Sequence, residues 1–197
     1  MKRFIFFSVF IAGFSSMAIE MTASRMIGNI FSSANLIWAC VIGSIMIYMA
    51  IGNWLGGIFS DKYPDLFHYL ILIFISGIFC CLIPLFSRPL LLKGAQAMDQ
   101  MTLRWVLILF LILLLILFIP MTLLGMIIPF AIKLLNTYYP FRGKVNGQLL
   151  AVSTVGSFIG TMLPSFILIP SVGTNRTFFV IGFLLLLAGA IGQLTNI

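Results

Sequence analysis

Long apolar runs separated by short polar breaks set the pattern of this chain, and the runs are long enough to cross a membrane. A helix of about 20 apolar residues spans the hydrocarbon of a bilayer. Six stretches meet that measure: about Phe4 to Arg25, Leu36 to Phe59, Leu66 to Phe86, Leu103 to Leu135, Gly147 to Ile169 and Thr177 to Leu194. Asn35 and Asp65 stand where N-caps of the second and third helices are expected. The fourth run is too long for a straight span, and Pro120 and Pro129 predict a kink or a helical extension into the interface. The longest loop, "SRPLLLKGAQAMDQMT", is expected to lie partly along the outer surface. The pattern therefore predicts an all-α polytopic protein, a single membrane domain over residues 1–197 with six transmembrane helices.

Composition agrees with this reading. The chain is 62% hydrophobic and 8% charged, with a mean hydropathy of +1.22, outside the range of soluble domains. A run such as "VLILFLILLLILFI" leaves no face for water. The formal charge of +7 comes from basic residues scattered singly through loops, so they read as topology and lipid-headgroup signals, with no nucleic-acid partner implied. Cys40, Cys80 and Cys81 lie inside apolar runs and read as small packing residues without metal spacing. The start of the chain, "MKR" then "FIFFSVFIAGF" then "SSMA", has the form of a signal peptide. Because the apolar character resumes beyond Ala18, the expectation is an uncleaved first span.

Six spans place both termini on one side, expected to be cytoplasmic in a bacterial plasma membrane. That side then holds Lys2, Arg3, Lys62, Lys133, Arg142 and Lys144, against Arg25, Arg88, Lys93, Arg104 and Arg176 outside. This is a small positive-inside bias. The Gly-Ser pairs at 43–44 and 156–157 suggest three helices repeated, inverted, as a 3+3 unit of the kind transporters use.

The polar residues inside the spans are the candidate sites. Glu20 follows an apolar run in "AIEMTASR", and a carboxylate at membrane depth is costly and a functional candidate by default. Counted from Arg3, Glu20 lies roughly 25 Å and Arg25 roughly 33 Å along the helix, so Arg25 can snorkel while Glu20 stays in the outer hydrocarbon. Five residues turn a helix by about 140°, so the two side chains do not stack. Either Glu20 is protonated or a neighbouring helix supplies its partner. Ser15, Ser16, Thr22 and Ser24 make this helix end polar, as a cavity lining or as a structural tie, and Thr122 lies where Pro120 frees backbone carbonyls.

Two further patterns are short. Gly52, Gly56 and Gly57 in the second helix, and Gly156 and Gly160 in the fifth, are small residues that let helices approach closely. They serve either packing within the bundle or contact with a second subunit. In "GIFSDK", Asp61 at a helix C-terminus opposes the macrodipole and needs a partner. It is either a solvated charge beside Lys62 or an inner-face latch to a neighbouring helix end. No catalytic constellation, metal-ligand set or cofactor loop is visible, so an enzyme is not expected. His68 stands alone at an interface.

Taken together, "IEMTASRMIG", "YMAIGNWLGGIFSDK", "PMTLLGMIIPFAIKL" and "GQLLAVSTVGSFIGTMLPSFILIPSVGTNRT" resemble the polytopic membrane domain associated with spermidine synthase-like aminopropyltransferases, which is similar to half of a major facilitator transporter. On that resemblance Glu20 and Arg25 match the family's acidic and basic positions in the first helix. Gly52, Gly56, Gly57, Asp61 and Lys62 match the second-helix motif. Gly125 and Pro129 match the fourth, and Gly156, Gly160, Pro170 and Gly173 match the fifth and its outer loop. No nucleotide-type αβ domain follows, so the resemblance implies that any aminopropyl transfer comes from a separate protein. Two functions are in view. One is a non-catalytic subunit or scaffold that binds a second copy or another membrane protein through its second and fifth helices. The other is a half-size transporter for a cationic solute such as a polyamine, with Glu20 as counter-charge and the first and fourth helices facing a polar groove.

Overall fold

The computed structural model describes residues 1–31, 35–97, 103–138 and 142–194. These residues form α1 (Lys2–Phe31), α2 (Asn35–Lys62), α3 (Leu66–Ala97), α4 (Leu103–Tyr138), α5 (Arg142–Leu163), α6 (Ile169–Val172) and α7 (Thr174–Leu194), with no strand among them. A π-helical turn, Pro164–Leu168, joins α5 to α6. Six helices are long and apolar enough to cross a membrane, the fifth running from Gly143 through α5 and the π turn to Val172. The protein is a multi-pass membrane protein.

Most helix starts fall where the apolar runs begin, and the differences lie at the ends. Helix α3 continues through Pro84 and Pro89 to Ala97, so most of the expected outer loop is helix. Pro84 is buried inside the apolar span, whereas Pro89 is exposed and lies beyond its end at Ser87. The side chains of Asn35, Arg88, Lys93, Arg104 and Arg142 lie outside the described residues.

Each helix has one main partner: α1 packs on α5, α2 on α4, and α3 on α7. Glycines bring the backbones together in all three pairs. A Cβ on Gly52 would strike the Thr122 carbonyl, and one on Gly56 would strike Met126. In the other direction, Gly125 faces the Met49 carbonyl. The α1–α5 contact has the same register: Gly156 meets the Phe10 carbonyl, Gly160 meets Phe14, and Gly13 meets Ser153. In the third pair, Gly77 and Gly182 each face the other's carbonyl. Position for position, Gly156 therefore stands where Gly52 does. The match of Gly43-Ser44 with Gly156-Ser157 is not reproduced, and Gly43 meets nothing within 4 Å.

The glycine contacts correct one expectation. Gly52, Gly56, Gly156 and Gly160 are all buried against helices of this same chain, so they do not form an open face for a second subunit. Gly57 alone of the five has open space beside it. What α2 and α5 turn outward is large and apolar: Met46, Ile47, Trp54 and Ile58 on one, Leu150, Val155 and Phe158 on the other. The cysteines of α3 pack as small apolar groups do, with the Cys80 thiol 3.5 Å from the Phe178 carbonyl and Cys81 beside Gly182.

Candidate functional site

Helix α1 is the central span of the bundle, with 72% of its most apolar 18 residues buried. Besides α5 it touches α7, α4, α2 and α3. The expected polar groove along α1 is thus replaced by enclosure: Ser8, Ser15, Ser16, Glu20, Thr22 and Ser24 are all buried. Ser16, Glu20 and Ser24 are four residues apart and share one face of the helix. Thr22 lies on the opposite side and returns its hydroxyl to the Ala18 carbonyl at 2.6 Å, while Ser16 does the same to Gly13 at 2.9 Å.

Glu20 is 7% exposed and makes no hydrogen bond or ion pair with any described residue. Arg25 is exposed and does not pair with it, as their angular separation requires. The hydroxyls of Ser15, Ser24 and Thr122 are buried and have no partner among the described residues. Alongside this stretch runs the π turn. Helices α1 and α5 are parallel, and extending the Phe14–Gly160 register by one turn brings Pro164 level with Ala18. Contact between α1 and Pro164–Leu168 agrees with that placement. Pro164 has no N–H to give the Gly160 carbonyl, and the Ile169 N–H reaches back to the Pro164 carbonyl instead. The carboxyl of Glu20 therefore sits at the level of a helix whose regular hydrogen bonding is interrupted, a feature that recurs at functional sites.

At the opposite end of the bundle, Asp61 pairs with Lys133 of α4, at 2.5 Å. Lys62 instead places its ammonium 5.3 Å from the Tyr63 ring centroid. The Asp61 side chain is 69% exposed. Attraction there is screened and contributes little to stability, which suits a contact that can open. Nearby, Asp65 lies 3.7 Å from His68 Nδ1, so this histidine is not isolated.

Two features carry no signal in the sequence. The Ser8 hydroxyl and the Tyr69 phenol share a 2.7 Å hydrogen bond that ties α1 to α3, with Tyr69 fully buried. Lys133 is one of 11 basic residues, and only the fold brings it to Asp61. Among the described residues no three His, Cys, Asp or Glu side chains converge as metal ligands would. The chemistry at hand is that of one enclosed carboxyl group with the Ser24 hydroxyl one turn away on the same face; Thr122 packs at Gly52, nearer the Asp61–Lys133 end, and is not brought to Glu20. Comparison with family models, with curated proteins and with solved structures yields no match.

Proposed function

We propose that the chain is a non-catalytic membrane subunit, built of two inverted three-helix units, that holds a partner protein against the outer faces of its second and fifth spans. Exchanging α1 with α4, α2 with α5 and α3 with α7 converts the Gly13–Gly156–Gly160 contact into the Gly125–Gly52–Gly56 contact. The same exchange returns the Gly77–Gly182 contact to itself. That matched register supports a 3+3, half major-facilitator-like arrangement. Lys2, Lys62, Lys133 and Lys144 gather at one end, which supports cytoplasmic termini by the positive-inside rule.

The observation that carries the scaffold reading is the distribution of burial. The span that holds Glu20 is the most enclosed, whereas only 22% of the most apolar 18 residues of the second span, and of the fifth, is buried. Their outward faces are lined with large side chains, Trp54 at 68% and Phe158 at 63% exposure among them. The partner is a second copy or another membrane protein, and the resemblance adds a separate aminopropyltransferase-like protein. Photo-crosslinkers at positions 54 and 158 should capture a defined partner in lipid nanodiscs. A particle that is monomeric and uncrosslinked in native-like lipid would overturn the proposal.

A second reading rests on Glu20 itself. A buried carboxyl, with the Ser24 hydroxyl one turn along the same helix face and unpaired among the described residues, is a place where a cationic solute could be held during transport. Proteoliposomes should then take up labelled spermidine, and Glu20→Gln should abolish the uptake while leaving the fold intact. Equal uptake by both proteins, or by neither, removes this reading.

A further inference from the structure

We propose that the cleft between α1 and α5 at the basic end of the bundle is a binding site for a single anionic phospholipid. The cleft has a volume of about 690 Å³ and is lined by Lys2, Arg3, Phe6, Gln148, Ala151 and Val152. Its chemistry is graded along the membrane normal. Because α1 and α5 run parallel, with Phe10 beside Gly156, Gln148 lies level with Lys2 and Val152 level with Phe6. The mouth thus carries two cations and an amide, and one turn deeper the walls are wholly apolar. A phospholipid has the same order, with an anionic phosphate at the interface and acyl chains below it. Lys144 stands one turn before Gln148 on the same face of α5 and adds a third cation at the rim. The Lys2 ammonium is 6.0 Å from the Phe6 ring centroid, directed over the cleft wall.

The bundle contains a comparison for this site. A second cleft, about 520 Å³, lies between α2 and α4 and is lined by Ser44, Tyr48, Leu114 and Leu115 among others. It has the same place relative to the glycine contacts: Ser44 stands to Gly52 as Gln148 stands to Gly156, and Leu114 and Leu115 stand to Gly125 as Lys2 and Arg3 stand to Gly13. A cleft at this point therefore follows from the packing alone, where the run of glycine contacts ends. The charge does not follow from the packing. Leu114 and Leu115 lie inside the fourth span and carry no charge, while the cleft at the basic end has cations at the corresponding positions. The difference between the two clefts is the one that selects a phosphate headgroup over an acyl chain. The proposal does not depend on the scaffold or the transport reading.

The test is native mass spectrometry of the full chain, released from detergent with phosphatidylglycerol or phosphatidylcholine at equal concentration. One phosphatidylglycerol should be retained in preference to phosphatidylcholine. Each basic residue near a lipid surface is worth about 1 kcal/mol, so Lys2→Gln with Arg3→Gln should weaken retention on the order of thirty-fold. Ala151→Trp, which fills the apolar part, should also lower retention while leaving the charges in place. Equal retention of the two lipids, or undiminished retention of phosphatidylglycerol by the Lys2/Arg3 variant, would overturn the proposal. Displacement by soluble glycerol phosphate as readily as by phosphatidylglycerol would also overturn it, by showing a free-phosphate site. Lys2, Arg3 and Ala151 are exposed, so the variants retain the fold; helicity measured by circular dichroism checks this.

Discussion

Gly52 of α2 lies so close to Thr122 of α4 that a Cβ on the glycine would overlap the threonine carbonyl. Backbone atoms cannot swing away as a flexible side chain can. Gly52→Leu is therefore expected to part the two helices and destabilise the bundle by about 1–3 kcal/mol or more. Gly156→Leu should cost a similar amount, since its carbonyl neighbour on Phe10 is placed the same way. Gly57→Leu should be close to neutral, having nothing within 4 Å. Thermal unfolding in one detergent, followed by loss of helicity, ranks the three. Comparable melting of all three proteins would contradict the glycine packing. Gly56→Leu and Gly160→Leu are likewise expected to lower the melting temperature and not to dissociate an intact particle.

The Ser8–Tyr69 hydrogen bond joins α1 to α3 in a buried setting. Such bonds in membrane proteins average about 0.6 kcal/mol and reach about 1.7. Tyr69→Phe removes the phenol, while the Ser8 hydroxyl keeps its 2.9 Å bond to the Ile5 carbonyl. The expected loss is about 1 kcal/mol. A double-mutant cycle with Ser8→Ala should return a coupling energy of that size, and additive single losses would show that the bond contributes nothing.

Asp61 and Lys133 should behave differently, because both are substantially exposed. Asp61→Asn is expected to change stability by no more than about 1 kcal/mol, with the wild-type advantage fading in high salt. Its clearer consequence should be mobility at that end of the bundle. Spin labels on exposed positions of α2 and of α4 near Thr137 should report a broader distance distribution in Asp61→Asn than in the wild type. Unchanged distributions would show that the pair does not hold the ends of the two helices together.

Glu20→Gln keeps the shape and size of the side chain, and the wild-type carboxyl has no cation in contact among the described residues. No ion pair is broken, so stability is expected to change by less than about 1 kcal/mol. Glu20→Lys puts a long cation into the same enclosed place and should lower stability by several kcal/mol. Unfolding measured in SDS titrations checks both. A large loss in Glu20→Gln would mean that the carboxyl has a structural partner after all.

The sequence by itself determined the membrane spans and their order, because hydrophobic length is a local property that each helix must satisfy against lipid alone. It also marked Glu20 as anomalous and Asp61 as a helix end in need of a partner, since burial cost and dipole sign follow from position along one helix. Where each side chain points was decided by the tertiary structure. Spaced glycines have the same form whether they meet a helix of their own chain or one of another. Only the packing of α2 on α4 and α1 on α5 turned Gly52, Gly56, Gly156 and Gly160 inward and left Trp54 and Phe158 outside. The same holds for Lys133 and Tyr69, whose partners lie far away in the chain. Contacts between helices depend on rotation about each axis. In an all-round apolar helix the hydrophobic pattern does not fix that rotation, and close packing does.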